Sequence, residues 1–273
     1  MLLLIDLDGV VYRGTQAVPG IARVLQRRAA AGDKVMYVTN NSRWHRADYR
    51  TRLEGHGVPL GDGWEDIVTA ARAAAVLLAE REPKPRVAMV FGGPGLGREL
   101  RDVGIQTVRP TPLGLAAKPD ALVVGVDFSL TYKRLSTAVE AVRRGALFVA
   151  TNRDPIYPGP DGAYLAGAGA MVAAVAAAAM KEPDLVVGKP EPRLYEAAAE
   201  VAGMSLKKAV VVGDGITTDI RAATRVGARS VLMLTGVTKR EDLARYPDIK
   251  PTRVAANSRE LERALEELGA ARQ

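Results

Sequence analysis

Four short segments place acidic, hydroxyl and basic side chains directly after apolar runs. In Asp6-Leu7-Asp8-Gly9-Val10, two carboxylates lie two residues apart behind the run Met1–Ile5. If the chain leaves the strand in a tight turn at Gly9, both can face one crevice, where like charges that close need a cation or a shared proton; a solvated strand-end turn is the other reading of the motif alone. A hard cation such as Mg²⁺, held by one or two carboxylates together with a substrate phosphate, meets that need. Thr39-Asn40-Asn41-Ser42 follows Lys34–Val38 and offers a hydroxyl, amides and backbone N–H groups. Such a set suits phosphate oxygens or caps the next helix. Lys189 reads either as a surface lysine or, fixed between Gly188 and Pro190 past Val186-Val187, as a positive charge at a defined point. In Gly213-Asp214-Gly215-Ile216-Thr217-Thr218-Asp219, Asp214 follows the run Ala209–Val212 and Asp219 lies one turn on, where it also fits as a helix N-cap.

The elements that must position these residues alternate. Strands are expected at Leu2–Leu7, Lys34–Val38, Val87–Phe91, Ala121–Val126, Ala146–Ala150, Leu185–Val187, Ala209–Val212 and Ser230–Leu234. Helical spacing falls at Ile21–Ala31, Ala47–Leu53, Leu96–Val103, Tyr132–Arg144, the Ala-rich run before Met180, Pro192–Ala202 and Asp219–Val226. Alternation of this kind implies an α/β fold, a Rossmann-like doubly wound parallel sheet whose ligands bind beyond the carboxyl ends of the strands. Asp127 after one strand and Thr151-Asn152 after a later one echo Asp6 and Thr39-Asn40, so two similar lobes are expected. The prolines at 83, 85 and 183 mark the crossings: a core of residues 1–80 and 184–273, and an inserted α/β lobe of residues 81–183.

Composition removes several chemistries. The 273 residues contain no cysteine, which excludes disulfides, thiolate metal sites and cysteine nucleophiles. Two histidines and no G-x-S-x-G leave little room for a hydrolytic triad. Trp44, His45, His56 and Trp64 lack catalytic partners in the sequence and read as packing or surface residues. Gly93-Pro94-Gly95-Leu96-Gly97 approaches a dinucleotide fingerprint, but Arg98 stands where its third glycine belongs. Met1–Ile5 meets Asp6 and Asp8 too early for a signal peptide, and the Ala-rich run barely reaches spanning length. The net charge of +7 is spread among acidic residues. A cytoplasmic protein without nucleic-acid or membrane partners is expected, and a homo-oligomer is left open.

Together, D-L-D-G-V, T-N-N-S, G-K-P-E-P followed by Tyr195 and Ala198, G-D-x-x-x-x-D and the closing Leu234-Thr235-Gly236-Val237 resemble the haloacid dehalogenase phosphohydrolase superfamily, and within it the NagD-like type IIA subfamily. The resemblance spans essentially the whole chain and implies a type IIA cap in the inserted lobe. It implies a Mg²⁺-dependent phosphatase of small phosphorylated metabolites (nucleotide, sugar, glycolate or vitamin phosphates) working through an aspartyl-phosphate. Asp6 is then the nucleophile and Asp8 the general acid and base. Asp6, the Asp8 carbonyl and Asp214 hold the metal, with Asp219 bound to it directly or one layer behind, while Thr39, the Asn40 amide and Lys189 hold the phosphoryl group and Asn41 binds the substrate. Asn152 and Asp154, in the cap's T-N-x-D, are expected at the leaving group. Gly215 departs from the family pattern, which carries a larger polar residue there. A phosphomutase and a non-catalytic phospho-ligand sensor are the competing readings; intact Asp6 and Asp8 speak against the sensor.

Overall fold

The computed structural model describes residues 1–158 and 163–270. It divides into two compact units, Met1–Thr39 with Ala47–Val68 and Lys189–Gln273, and Asn40–Arg46 with Thr69–Gly188.

The first unit opens with β1 (Leu2–Ile5), the short antiparallel pair β2 (Tyr12–Arg13) and β3 (Gln16–Ala17), α1 (Ile21–Ala30), β4 (Lys34–Thr39), α2 (Arg46–Gly55) and β5 (Ile67–Thr69). All four side chains of β1 are buried, as expected for a central parallel strand covered on both faces. Alternation sends Leu3 and Ile5 to one face, where they join Val24 and Leu25 of α1 and Tyr37 of β4 in one core.

The second unit continues with α3 (Ala70–Ala79), β6 (Val87–Phe91), α4 (Pro94–Asp102), β7 (Gln106–Val108), α5 (Pro112–Ala116), β8 (Ala121–Val124), α6 (Tyr132–Arg143), β9 (Leu147–Ala150), the antiparallel hairpin β10 (Ile156–Pro158) and β11 (Tyr164–Ala166), α7 (Ala168–Ala179) and β12 (Leu185–Val186). Its five-stranded sheet runs β12-β9-β8-β6-β7, parallel throughout. Met171, Val172, Val175 and Ala179 of α7 fill the core between this sheet and α6. The sequence reading ends the core at residue 80, whereas α3 falls in the second unit because it packs along α4. The Ala-rich run is strand before Gly167 and a helix of 12 residues after it. No helix among the described residues is long and apolar enough to cross a membrane.

The chain then completes the first unit with α8 (Arg193–Ala202), β13 (Ala209–Gly213), a π-helical turn at Ile216–Ile220, α9 (Arg221–Arg225), β14 (Arg229–Met233), β15 (Arg253–Ala255) and α10 (Ser258–Ala270). Its six-stranded sheet has the order β15-β14-β13-β1-β4-β5, with β15 through β4 parallel. The chain builds from β1 outward through β4 and β5, then returns to build from β13 on the other side. The strand order therefore reverses between β1 and β13, the place where such sheets bind ligands. Asp6 and Asp214 are the residues that leave those two strands.

Ile5 is fully buried in the larger core of this unit. Replacing it with alanine removes its packing and leaves a cavity, so Ile5→Ala is expected to destabilise the protein by about 2–5 kcal/mol, read from the urea midpoint.

Candidate active site

The switch point of the first unit is organised around one buried ammonium. Lys189 Nζ donates to Asp6 Oδ1 at 2.5 Å, to Asp219 Oδ1 at 2.7 Å and to the Val38 carbonyl at 3.3 Å. The last bond ties the end of β4, where Thr39 is buried, to the same nitrogen. Asp6 stays in register because its N–H donates to Val212 O of β13 at 2.9 Å. Asp219 sits in the π-helical turn, and the residue that precedes α9 is Ile220, which sets aside the alternative reading of Asp219 as a helix N-cap. Such turns recur at functional sites because the extra residue re-aims a side chain. Its Oδ2 accepts the Gly215 N–H at 3.1 Å, and its Oδ1 also accepts the Tyr195 hydroxyl of α8 at 3.1 Å.

Asp214 is oriented from the loop after β14. The Val237 N–H donates to its Oδ2 at 2.7 Å, and the Thr235 hydroxyl donates to the Gly9 carbonyl at 2.6 Å, tying this loop to the turn that carries Asp8. Gly9 has φ +83°, and a Cβ there would stand 2.2 Å from Asp214 Oδ2. The left-handed conformation and the contact both call for glycine. A Cβ at Gly215 would lie 2.0 Å from Thr218 Oγ1, so the departure from the family pattern at this position accompanies a tight turn through Thr218.

Burial dominates the electrostatics. It pushes the Asp6 carboxyl well above the usual carboxylate range, against Lys189 and with the repulsion of Asp219 and Asp214. Burial likewise raises Asp8, opposed by Arg52 and Lys189. Asp214 is pushed up to about 7 by burial and by Asp219, against the Val237 N–H and Lys189. Burial would lower Lys189, but Asp219 and Asp6 more than offset it and hold its ammonium above the ordinary lysine range.

Carboxylate oxygens of Asp6, Asp214 and Asp219 lie within 4.8 Å of one another. Three carboxylates face one bonded ammonium, and their oxygens are the donors that hard divalent cations prefer. The residues present therefore fit a divalent cation.

The remaining expected residues gather in the second unit. The Asn152 side-chain amide donates to Asn40 O at 2.7 Å, Asn40 Nδ2 donates to Asp154 Oδ2 at 2.9 Å, and Asn41 Nδ2 donates to the Tyr157 hydroxyl at 3.2 Å. Asp127, the echo of Asp6, is paired with Arg134 at 2.6 Å and is structural. The glycine-rich loop at residues 93–97 opens α4, and its Gly95 N–H donates to Arg43 O. His45 does find partners: its Nε2 lies 2.8 Å from Oδ2 of the exposed Asp102 and 3.4 Å from Oε1 of the buried Glu99. His56 stacks on Tyr12. Tyr195 and Val237 entered the sequence reading only as parts of motifs, without roles, and Arg52 not at all: neither a hydroxyl's partner nor a main-chain N–H has a sequence signal.

A Rossmann-like sheet with clustered aspartates and a buried lysine at its switch point is the arrangement that the resemblance to the haloacid dehalogenase phosphohydrolases leads one to expect. Residues 3–106 match the model of haloacid dehalogenase-like hydrolases, and residues 186–261 match the HAD-hydrolase-like model. Human chronophin is 38% identical over 251 residues, 89% of this chain and 84% of its own. The p-nitrophenyl phosphatase of Archaeoglobus fulgidus superposes with a TM-score of 0.86 at 32% identity, covering 96% of this chain and 98% of that one. A glycerol phosphate phosphatase of Mycobacterium tuberculosis, solved with magnesium, superposes with a TM-score of 0.84 at 35% identity, covering 95% and 75%. The chain belongs to the haloacid dehalogenase-like hydrolases, as a NagD-like phosphomonoester hydrolase with a cap.

The raised carboxyls set a pH dependence. A carboxyl whose folded pKa lies above its unfolded value stabilises the fold fully below the unfolded value, 3.8 for Asp214, and loses that contribution as pH rises through about 7. Protein stripped of divalent metal is therefore expected to melt lower at about pH 8 than at about pH 5. Because a cation binds the ionised carboxylates, adding one raises the melting temperature more at the higher pH. Calorimetric scans with and without a divalent cation check both signs.

Proposed function

We propose that this protein is a Mg²⁺-dependent phosphatase of small-molecule phosphomonoesters that works through an aspartyl-phosphate on Asp6. The observation that carries the reading is the Lys189 ammonium bonded to Asp6 and Asp219, with Asp214 completing the carboxylate group. An anionic nucleophile meeting an anionic phosphate needs positive charge fixed beside it, and Lys189 supplies that charge in a buried place. It also favours the ionised form of Asp6 that attack requires.

An Asp6 oxygen attacks phosphorus as the ester P–O bond breaks, and Asp8 gives its proton to the departing alkoxide. Burial, by raising the Asp8 carboxyl, keeps that proton available. Asp8, now ionised, takes a proton from water, whose oxygen attacks the aspartyl-phosphate. Inorganic phosphate leaves and the Asp6 carboxylate is restored. The Thr39 hydroxyl, the Asn40 N–H and Lys189 hold the phosphoryl oxygens, and Asn41 contacts the substrate.

Asp6, the Asp8 carbonyl, Asp214 and Asp219 would hold Mg²⁺, which when bound adds positive charge at the phosphoryl oxygens. The magnesium complex of the mycobacterial glycerol phosphate phosphatase supports this choice of ion. The relatives named for glycerol phosphate and p-nitrophenyl phosphate support small phosphoesters, with nucleotide, sugar, glycolate and vitamin phosphates as the classes to test. A cytoplasmic location and a small phosphorylated metabolite as partner are part of the same proposal.

Asp6→Asn nearly preserves shape but cannot attack phosphorus, so turnover of 4-nitrophenyl phosphate is expected to fall by about a thousandfold or more. Turnover within tenfold of wild type, about 1.4 kcal/mol of barrier, overturns the assignment of Asp6. Exhaustive chelation removes activity and Mg²⁺ restores it; full activity after chelation rejects the metal. Lys189→Ala lowers turnover by about a hundredfold or more, because transition-state charge is left uncompensated.

A further inference from the structure

The segment Asn40–Arg46 lies across the carboxyl edge of the second unit's own sheet. Ser42 Oγ and Thr151 Oγ1, after β9, are 3.0 Å apart, and the Gly95 N–H after β6 donates to Arg43 O at 2.8 Å. The approach is close. A Cβ at Gly125, after β8, would come within 2.5 Å of Ser42 Oγ, and one at Gly188, after β12, within 2.7 Å of Asn40 Oδ1. At the far end of the segment, Arg46 Nε donates to the buried Glu99 at 2.9 Å.

At its start, the grip on Asn40 is made by the two residues expected at the leaving group. The Asn152 amide donates to Asn40 O at 2.7 Å, and Asn152 Oδ1 accepts the Asp154 N–H at 3.0 Å. Asp154 Oδ2 in turn accepts Asn40 Nδ2 at 2.9 Å. Asn152 is buried, 4% exposed, with both ends of its amide bonded to main chain. It cannot turn toward a ligand without breaking bonds that nothing else on the side chain replaces.

We propose that Asn152 and Asp154 are positioning residues for the phosphate-holding turn, acting through Asn40, and do not read the leaving group. The proposal rests on the phosphatase reading above, in which the Asn40 N–H holds a phosphoryl oxygen. Asn40 is joined to Thr39 by one planar peptide, so fixing the Asn40 carbonyl and side chain limits the directions in which that N–H can point. Donors aimed in advance at phosphoryl oxygens are effective because they need no rearrangement when charge develops.

The test uses the full chain with 4-nitrophenyl phosphate, glycerol phosphate, a nucleoside monophosphate and a sugar phosphate, together with inhibition by inorganic phosphate, which carries no leaving group. Asn152→Ala is expected to lower kcat/KM by one common factor, about tenfold to a hundredfold, across all esters. It should also weaken inhibition by inorganic phosphate. Asp154→Ala should act the same way, whereas Asp154→Asn keeps an oxygen for Asn40 Nδ2 and returns both readouts toward wild type. A changed ranking of esters with phosphate inhibition unchanged overturns the proposal and makes the pair leaving-group contacts. If Asn152→Ala does not fold, the Asp154 pair decides: equal loss in Asp154→Ala and Asp154→Asn overturns it. Wild-type protein that releases phosphate from none of the esters refutes the phosphatase reading itself, a result separate from any ratio of variant to wild type.

Discussion

An ammonium sealed from water must find compensating charge, and much of the first unit's site follows from that requirement. Lys189 obtains it from Asp6 at the end of β1 and Asp219 in the π-helical turn, with the Val38 carbonyl as a third acceptor. Three separate stretches of chain must therefore converge on one nitrogen. Buried pairs of this kind are poor sources of stability, since desolvation opposes the Coulomb gain. Their effect is to specify position: removing a partner strands a charge, so each group is held where the others need it. Tyr195 and the Gly215 N–H belong to the same arrangement, because Asp219 has lone pairs beyond those Lys189 uses.

Parallel topology turns this convergence into a site. Strand order reverses between β1 and β13, and the two aspartates that leave those strands stand at the open end of the reversal. Among the described residues Lys189 is bonded to the other two carboxylates and acts on Asp214 only through its charge. Asp214 is aimed by the Val237 N–H, and its closeness to Gly9 leaves no room for a side chain there. The group remains richer in carboxylates than in cations, and burial raises Asp6, Asp8 and Asp214 together. An oxygen-seeking cation and a phosphoryl group are the chemistry such an imbalance accommodates.

The second unit repeats the architectural idea with a different outcome. Its parallel sheet also has a carboxyl edge, but Asp127 there is closed off by Arg134 and Ser129, and the protein's own segment Asn40–Arg46 lies along that edge. The Gly95 N–H at the start of α4, which a glycine-rich reading would offer to a dinucleotide, goes to Arg43 O. A similar fold thus yields a site in one unit and an internal docking surface in the other, because the polar groups after the strands are already bonded to protein.

Local pattern was enough to nominate residues for chemistry and, taken together, to point to the family. Asp6, Asp8, Thr39, Lys189 and Asp214 lie at or just past the ends of apolar runs, with Asp219 one turn beyond Asp214, and the alternation of those runs with helical segments implied the α/β sheet that the structure contains. Short or mixed elements escaped: β5 and β7 have three residues each, too few to show a period, and α10 was passed over although Leu261, Leu265 and Leu268 form its buried stripe. What sequence could not decide was direction and company. Nothing in the order of residues tells whether Asp219 caps a helix or faces Lys189, that Tyr195 spends its hydroxyl on Asp219, or that Asn152 faces Asn40, 112 positions away. Those outcomes depend on which strands become neighbours, a long-range choice made by burial of both sheet faces. Residue type and spacing determined which groups this protein has for chemistry, and only the tertiary structure decided which of them meet, because a hydrogen bond requires approach within about 3 Å and sequence separation does not encode distance.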